Sequence, residues 1–211
     1  MKKMLSTLSA VVLMAGAVSV QAAGDAEAGK SKAAVCAGCH GADGNSMVPS
    51  FPKLAGQNAK YTVKQLQDMK EGKRNVPEMA AFLPGLSDQD MADIAAYYEA
   101  QPVKTGKANP ELVELGQQLY RAGNPESGVT ACAGCHGANG DGMPAAGFPA
   151  LAGQHAGYTE AQLKAFRASG RGDEAGPYRD NDGESMMMRA TAARLTDAEI
   201  KALSSYINGL Y

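Results

Sequence analysis

Tryptophan is absent from the 211 residues and phenylalanine occurs four times, so aromatic side chains make up only 6% of the chain. If the chain forms small domains, they lack the large rings that usually fill a core, and something other than polypeptide is expected to fill it. Cysteine is scarce as well. Four are too few to staple a disulfide scaffold of this length, so their spacing says more than their number. An excess of either charge is missing: 20 basic residues face 22 acidic ones, a net of −2, which excludes the basic patch of a nucleic-acid binder. Alternating apolar and polar runs of useful length are missing too, which argues against strands. What remains is 45% apolar and 20% charged, the composition of a folding globular chain.

The one long apolar run lies at the start. Met1-Lys2-Lys3 is followed by 16 uncharged, mostly apolar residues from Leu5 to Val20, and then by the small residues around Ala22. That is the three-part pattern of a secretory signal, so residues 1–22 are read as a signal peptide cleaved after Ala22. A retained anchor is the competing reading, but a spanning helix wants about 18 or more apolar residues. Export would place the cysteines in an oxidising compartment, where they should be covalently used.

The rest is written twice. Cys36-Ala37-Gly38-Cys39-His40-Gly41-Ala42 recurs as Cys132-Ala133-Gly134-Cys135-His136-Gly137-Ala138, 96 residues later. Phe51-Pro52-Lys53-Leu54-Ala55-Gly56-Gln57 recurs as Phe148-Pro149-Ala150-Leu151-Ala152-Gly153-Gln154. Leu86-Ser87-Asp88 recurs as Leu195-Thr196-Asp197, with extra residues in the second copy between Gly170 and Glu184. The repeat predicts two tandem domains, 23–101 and 111–211, joined by a polar, proline-bracketed linker over 102–110.

Periodicity within each copy is helical. Ser87-x-x-Asp90 and Thr196-x-x-Glu199 read as capping boxes. Met91, Ile94, Ala95 and Tyr98 follow the first, and Ile200, Leu203, Ser204 and Ile207 follow the second, each set near the spacing of one helical face. Thr62 and Thr159 are expected to open a middle helix capped by Gly72 and Gly170. Leu112, Leu115 and Leu119 share a face at the start of the second copy. The expected fold class is all-α, with about three helices per domain and loops too long for a bare bundle.

Cys-x-x-Cys-His is the attachment pattern of c-type haem. Two thiols a helical turn apart can reach both vinyl groups on one side of a porphyrin, and the next histidine then projects over the ring toward iron. Two such motifs at matching places in a repeat predict two covalently bound haem c groups, on Cys36 and Cys39 and on Cys132 and Cys135, with His40 and His136 as iron ligands. A thioredoxin-like pair is disfavoured because no βαβ pattern surrounds either motif. A zinc site made of all four thiolates is disfavoured because more than ninety residues separate the pairs. The opposite iron face needs another ligand. His155 faces Asn58 in the other copy, so the repeat does not need it, and it is expected at the surface. Methionine is a frequent partner of histidine in such sites. Met79 lies seven residues before Leu86, and Met188 lies seven before Leu195. Met186 competes with Met188, and Met47 with Met143 forms a competing pair.

Together these features resemble the dihaem cytochrome c4 family. The likeness rests on both Cys-Ala-Gly-Cys-His motifs, Gly41-Ala42-Asp43-Gly44-Asn45-Ser46, the two Phe-Pro-x-Leu-Ala-Gly-Gln segments, Leu86-Ser87-Asp88-Gln89-Asp90 and Leu203-Ser204-Ser205-Tyr206-Ile207. The resemblance implies two tandem cytochrome c-type domains, each with one His/Met haem, and periplasmic transfer of single electrons. The implied donor is a quinol–cytochrome c oxidoreductase and the implied acceptor a terminal oxidase. It also implies that the Pro52 and Pro149 carbonyls orient the imidazoles. The expected role is that of an electron carrier rather than an enzyme, because protein ligands on both faces leave the iron no open position. The alternatives are the cytochrome subunit of a flavocytochrome sulfide dehydrogenase and a dihaem peroxidase-type enzyme. No nucleic-acid partner is expected, and peripheral membrane association stays open. Arg74 and Arg189 are the arginines expected near haem propionates.

Overall fold

The structure, a computed structural model, describes residues 23–173 and 176–211. The signal-peptide reading of residues 1–22 falls outside that range. The described residues contain helices and two isolated bridges, Asn124 with Val129 and Met143 with Phe148, but no strand. No helix among them is long and apolar enough to cross a membrane.

The first half holds α1 (Ala26–Lys32), the one-turn α2 (Ala37–His40), α3 (Ala59–Lys70) and α4 (Asp88–Glu99). The second holds α5 (Pro110–Ala122), the one-turn α6 (Ala133–His136), α7 (Ala156–Arg171), α8 (Met187–Ala192) and α9 (Asp197–Gly209). Both capping boxes form, with Ser87 and Thr196 accepting from the backbone of Asp90 and Glu199 and receiving their carboxylates in return. The stripe Met91, Ile94, Ala95 and Tyr98 is buried, as is Ile200, Leu203, Ser204 and Ile207. Each large apolar side chain on these faces contributes about 1.5–3 kcal/mol by leaving water.

In each half the first and last helices cross, α1 on α4 and α5 on α9. Glycine permits the approach. A Cβ on Gly116 would lie 2.5 Å from the Ala202 carbonyl oxygen and 2.6 Å from the Tyr206 Cβ. Gly29 meets the Asp93 carbonyl in the same way.

Several local expectations are corrected. The middle helices begin four residues early, after Asn58 and His155, so Thr62 and Thr159 are buried inside them rather than capping them. Gly72 follows α3 with φ +75, but Gly170 lies within α7, which is followed by Gly172 with φ +69. Gly170 serves packing instead: a Cβ there would run into the Arg189 carbonyl of α8. Leu115 is exposed, and the buried face of α5 is Gly116, Leu119 and Tyr120. Helix α8 has no counterpart beyond a 3₁₀ turn at Pro77–Met79 in the first half.

The halves clasp each other through equivalent residues. The Gln57 amide donates to the Ala150 carbonyl and accepts from the Ala150 N–H, each at 2.9 Å. Gln154 makes the same pair with the Lys53 backbone, also at 2.9 Å each. Lys53 and Ala150 occupy matching repeat positions, so the exchange is that of a local two-fold. Asn58 donates to the Phe148 carbonyl at 2.7 Å. His155, expected at the surface, is half-buried here, its Nε2 2.8 Å from the Ser46 hydroxyl and 2.9 Å from the Ser46 carbonyl oxygen. The segment between α4 and α5 has no regular structure, yet Asn45 pins it through Pro102 and Lys104, and Asn208 pins it through Gly106.

Candidate functional site

Each Cys-x-x-Cys-His motif folds as one helical turn. Cys36 caps α2 and Cys132 caps α6, and the Cys39 and Cys135 amides donate back to the first cysteine's carbonyl, each at 3.2 Å. The paired sulfurs therefore share one side of the turn. Cys39 and Cys135 are exposed, Cys36 and Cys132 half-buried. Before attachment, burial raises the Cys36 thiol and pushes Cys132 up to about 11, so both are protonated thiols at neutral pH.

The turn after each motif brings a proline carbonyl against the histidine. Gly44, at φ +74, accepts from the Leu54 and Ala55 amides at 2.7 and 3.2 Å, which folds the Phe51–Lys53 segment back over His40. A Cβ on Gly44 would meet the Ala55 nitrogen at 2.6 Å, so only glycine fits. Gly140 repeats this with Leu151 and Ala152. The outcome is a contact of 2.8 Å from His40 Nδ1 to the Pro52 oxygen and of 2.9 Å from His136 Nδ1 to the Pro149 oxygen. A carbonyl only accepts, so Nδ1 carries the proton and Nε2 keeps a lone pair. Burial lowers the pKa of both imidazoles more than the carbonyl raises it, which favours the neutral ligand form. Phe51 and Phe148 lie beside these rings, with centroids 6.4 Å apart in both halves.

The first half has a divided core. Ala33, Ile94 and Tyr98 form one cluster, against which Cys36 packs. Leu66, Leu83 and Met91 form another, which takes Met79, and Leu86 touches both. Attachment sulfur and candidate thioether thus belong to separate apolar groups, an arrangement that suits a flat apolar body between them. In the second half Cys132 packs on the main cluster, while Met188 sits half-buried on α8. Met47 is 93% exposed, and Met143 and Met186 are each 42% exposed.

A cationic cluster lies between the halves, and sequence reasoning found only half of it. Arg74 donates to Gln65 and reaches across to the Tyr158 hydroxyl at 2.9 Å. Arg179, only 8% exposed, reaches the other way to Tyr61 at 2.9 Å and Gln65 at 3.0 Å, and stacks on Phe166. Neither guanidinium has a carboxylate partner among the described residues. Desolvation alone would raise the Tyr61 phenol, yet the two arginines outweigh it and hold it below its ordinary value. Asp68 is the nearest carboxylate, reached through Asn181, which also donates to the Gln65 that both arginines bind. Two buried guanidiniums with no direct ion pair fit a prosthetic group that carries carboxylates. Arg189, the other arginine expected there, is paired with Asp182 instead. Arg179 escaped notice because it sits in a polar loop, which composition reads as solvent-exposed.

The cytochrome c family matches residues 26–100 and 113–210. A cytochrome c4 of Pseudomonas aeruginosa is 49% identical over 211 residues, the full length of both chains. A thiosulfate dehydrogenase electron acceptor of Stutzerimonas stutzeri is 39% identical over 178 residues, 82% of this chain and 78% of the relative. The crystal structure of reduced cytochrome c4 from Pseudomonas stutzeri matches with a TM-score of 0.83 at 52% identity, covering 90% of this chain and all of that one. With its two attachment motifs, the chain carries two covalently bound haem c groups. A duplicated helical fold, a motif for covalent haem in each half and full-length identity over both halves place the chain in the cytochrome c family, as a two-domain electron-transfer cytochrome of the cytochrome c4 type.

Proposed function

We propose that the chain is a periplasmic carrier that takes single electrons from a quinol–cytochrome c oxidoreductase-type donor and delivers them to a terminal oxidase. Bound haem c supplies a one-electron ferric–ferrous couple. The chain's own residues decide what that couple can do. Cys36, Cys39, Cys132 and Cys135 hold the two groups by thioethers. His40 and His136 offer neutral Nε2 atoms, fixed in orientation by Pro52 and Pro149. Met79 and Met188 would supply the second protein ligand to each iron, which would hold the potential high. The observation that carries this reading is the pair of oriented, neutral imidazoles, one per half, each in a half that also offers a half-buried methionine. Two protein ligands per iron would leave substrate no position there, which favours carriage over catalysis.

A second reading concerns the donor. The relative described as a thiosulfate dehydrogenase electron acceptor favours a sulfur-oxidising enzyme as the source of electrons. Reduction rates with purified donors of each class separate the two.

Ligation is tested by substitution. Met79→Ala and Met188→Ala are each expected to remove half of the weak sulfur-to-iron charge-transfer band of the ferric protein and to lower the potential of one haem alone. Met186→Ala is expected to leave both untouched, since its side chain is 42% exposed. Loss of the band in Met186→Ala with its retention in Met188→Ala would refute the assignment.

A further inference from the structure

We propose that Asp182 is a positioning residue for Met188: acting through Arg189, it fixes the first turn of α8 and makes the second half's methionine harder to displace from iron than the first half's. The inference rests on Met188 being the ligand. Helix α8 begins badly by itself. Its N-cap is Met186, a non-glycine residue with φ 49 in the left-handed region, and no side chain at that position caps the helix. Asp182 does so from four residues upstream. One carboxylate oxygen accepts from the Arg189 backbone N–H at 2.9 Å, and the other accepts from the Arg189 guanidinium at 2.6 Å. The guanidinium also donates to the Gly183 carbonyl at 2.7 Å, so the loop and the first turn of α8 are tied together at three points.

The pair is shielded, its side chains 6% and 16% exposed for Asp182 and Arg189. Such a pair is far more sensitive to loss of one partner than an exposed one. Arg189 is held from α7 as well, because Gly170 lets that helix approach the Arg189 carbonyl. Met188 precedes Arg189 directly and inherits that fixation.

The first half has no such device. Met79 ends a 3₁₀ turn whose N-cap, Val76, makes no side-chain cap bond. Among the described residues no ion pair involves residues 75–86. The sequence difference between the repeats, a longer polar loop in the second copy, thus has a use: it supplies the carboxylate that holds α8.

The test uses the holoprotein with both haems. Cyanide is added to the ferric protein and the loss of the charge-transfer band is followed in time. Two phases are expected, the slower being the one absent from Met188→Ala. Asp182→Asn should accelerate that phase at least tenfold and leave the faster phase alone. Arg189→Gln keeps the backbone bond and should accelerate it less, which serves if Asp182→Asn folds poorly. Asp197→Asn, which removes the ion pair with Arg167 elsewhere in the same half, should change neither phase. An unchanged slow phase in Asp182→Asn, or equal acceleration of both phases, overturns the proposal. Failure of the ligand reading is distinguishable, because Met188→Ala would then keep the whole band.

Discussion

Replacing Gln57 with alanine removes two hydrogen bonds across the interface at once and leaves the Ala150 N–H and carbonyl facing a methyl group. A neutral hydrogen bond contributes about 1 kcal/mol net, and a buried group left unpaired costs about 1–3 kcal/mol. Ala150 is half-buried, so water recovers part of the loss, and about 2 kcal/mol is the expected cost to docking of the halves. That corresponds to roughly a thirtyfold shift toward the undocked arrangement. Gln154→Ala should do the same through Lys53. Amide hydrogen exchange is the assay, since exchange of the Ala150 and Lys53 N–H groups reports opening of the interface. If the interface opens as one unit, Gln57→Ala accelerates both amides by about thirtyfold, and the double variant falls short of additivity because the partners share one interface. Acceleration confined to Ala150 would refute the cooperative clasp, and no acceleration at either amide would refute the contact itself.

Gly116→Ala drives a Cβ to 2.5 Å from the Ala202 carbonyl oxygen and should lower second-half stability by about 1–3 kcal/mol in urea melts. Gly85→Ala, with nothing within 4 Å, should be nearly neutral in the same measurement. Asp93 accepts from the Asp25 N–H, Lys32 and Gln89, which hold its pKa at about 2 against an ordinary 3.8. A depressed carboxylate stabilises above its unfolded pKa and loses that contribution as pH falls through its folded one. Stability should therefore drop between about pH 4 and pH 2, and Asp93→Asn should flatten that drop in acid denaturation curves.

The parts of the fold legible in the sequence were those with a local cause. Ser87 and Thr196 announce their helices because the capping box lies within four residues. The haem motifs announce themselves for the same reason. Thr62 misled because a threonine three residues before a glutamine reads as a cap, whereas Asn58 takes that position and Thr62 is buried in the helix. His155 misled for a different reason. A polar residue with no role inside its own copy reads as surface, yet the other copy covers it. Gln57, Gln154 and Arg179 share that cause: hydropathy measures preference for water and is blind to a polar surface satisfied by its own duplicate. The methionines were only partly legible. Counting back from the last helix singles out Met79 and Met188 as candidates, but the Asp182 tether that distinguishes the second loop joins residues whose partnership has no periodic signature.

Because the clasp trades identical positions, each half presents a self-complementary face. Such a face suits an isologous dimer of a single half, where residue i meets j and j meets i. Joining two such halves by a segment as short as the one between α4 and α5 replaces a bimolecular encounter with an intramolecular one, at an effective concentration in the millimolar range. An interface of amide, guanidinium and imidazole contacts then closes without depending on how dilute the protein is. Fusion also removes the requirement that the faces remain alike. Position 58 is asparagine while its counterpart is His155, and only the second copy has the longer loop that carries Asp182. The linker is thus what permits two initially equivalent redox units to become different from each other.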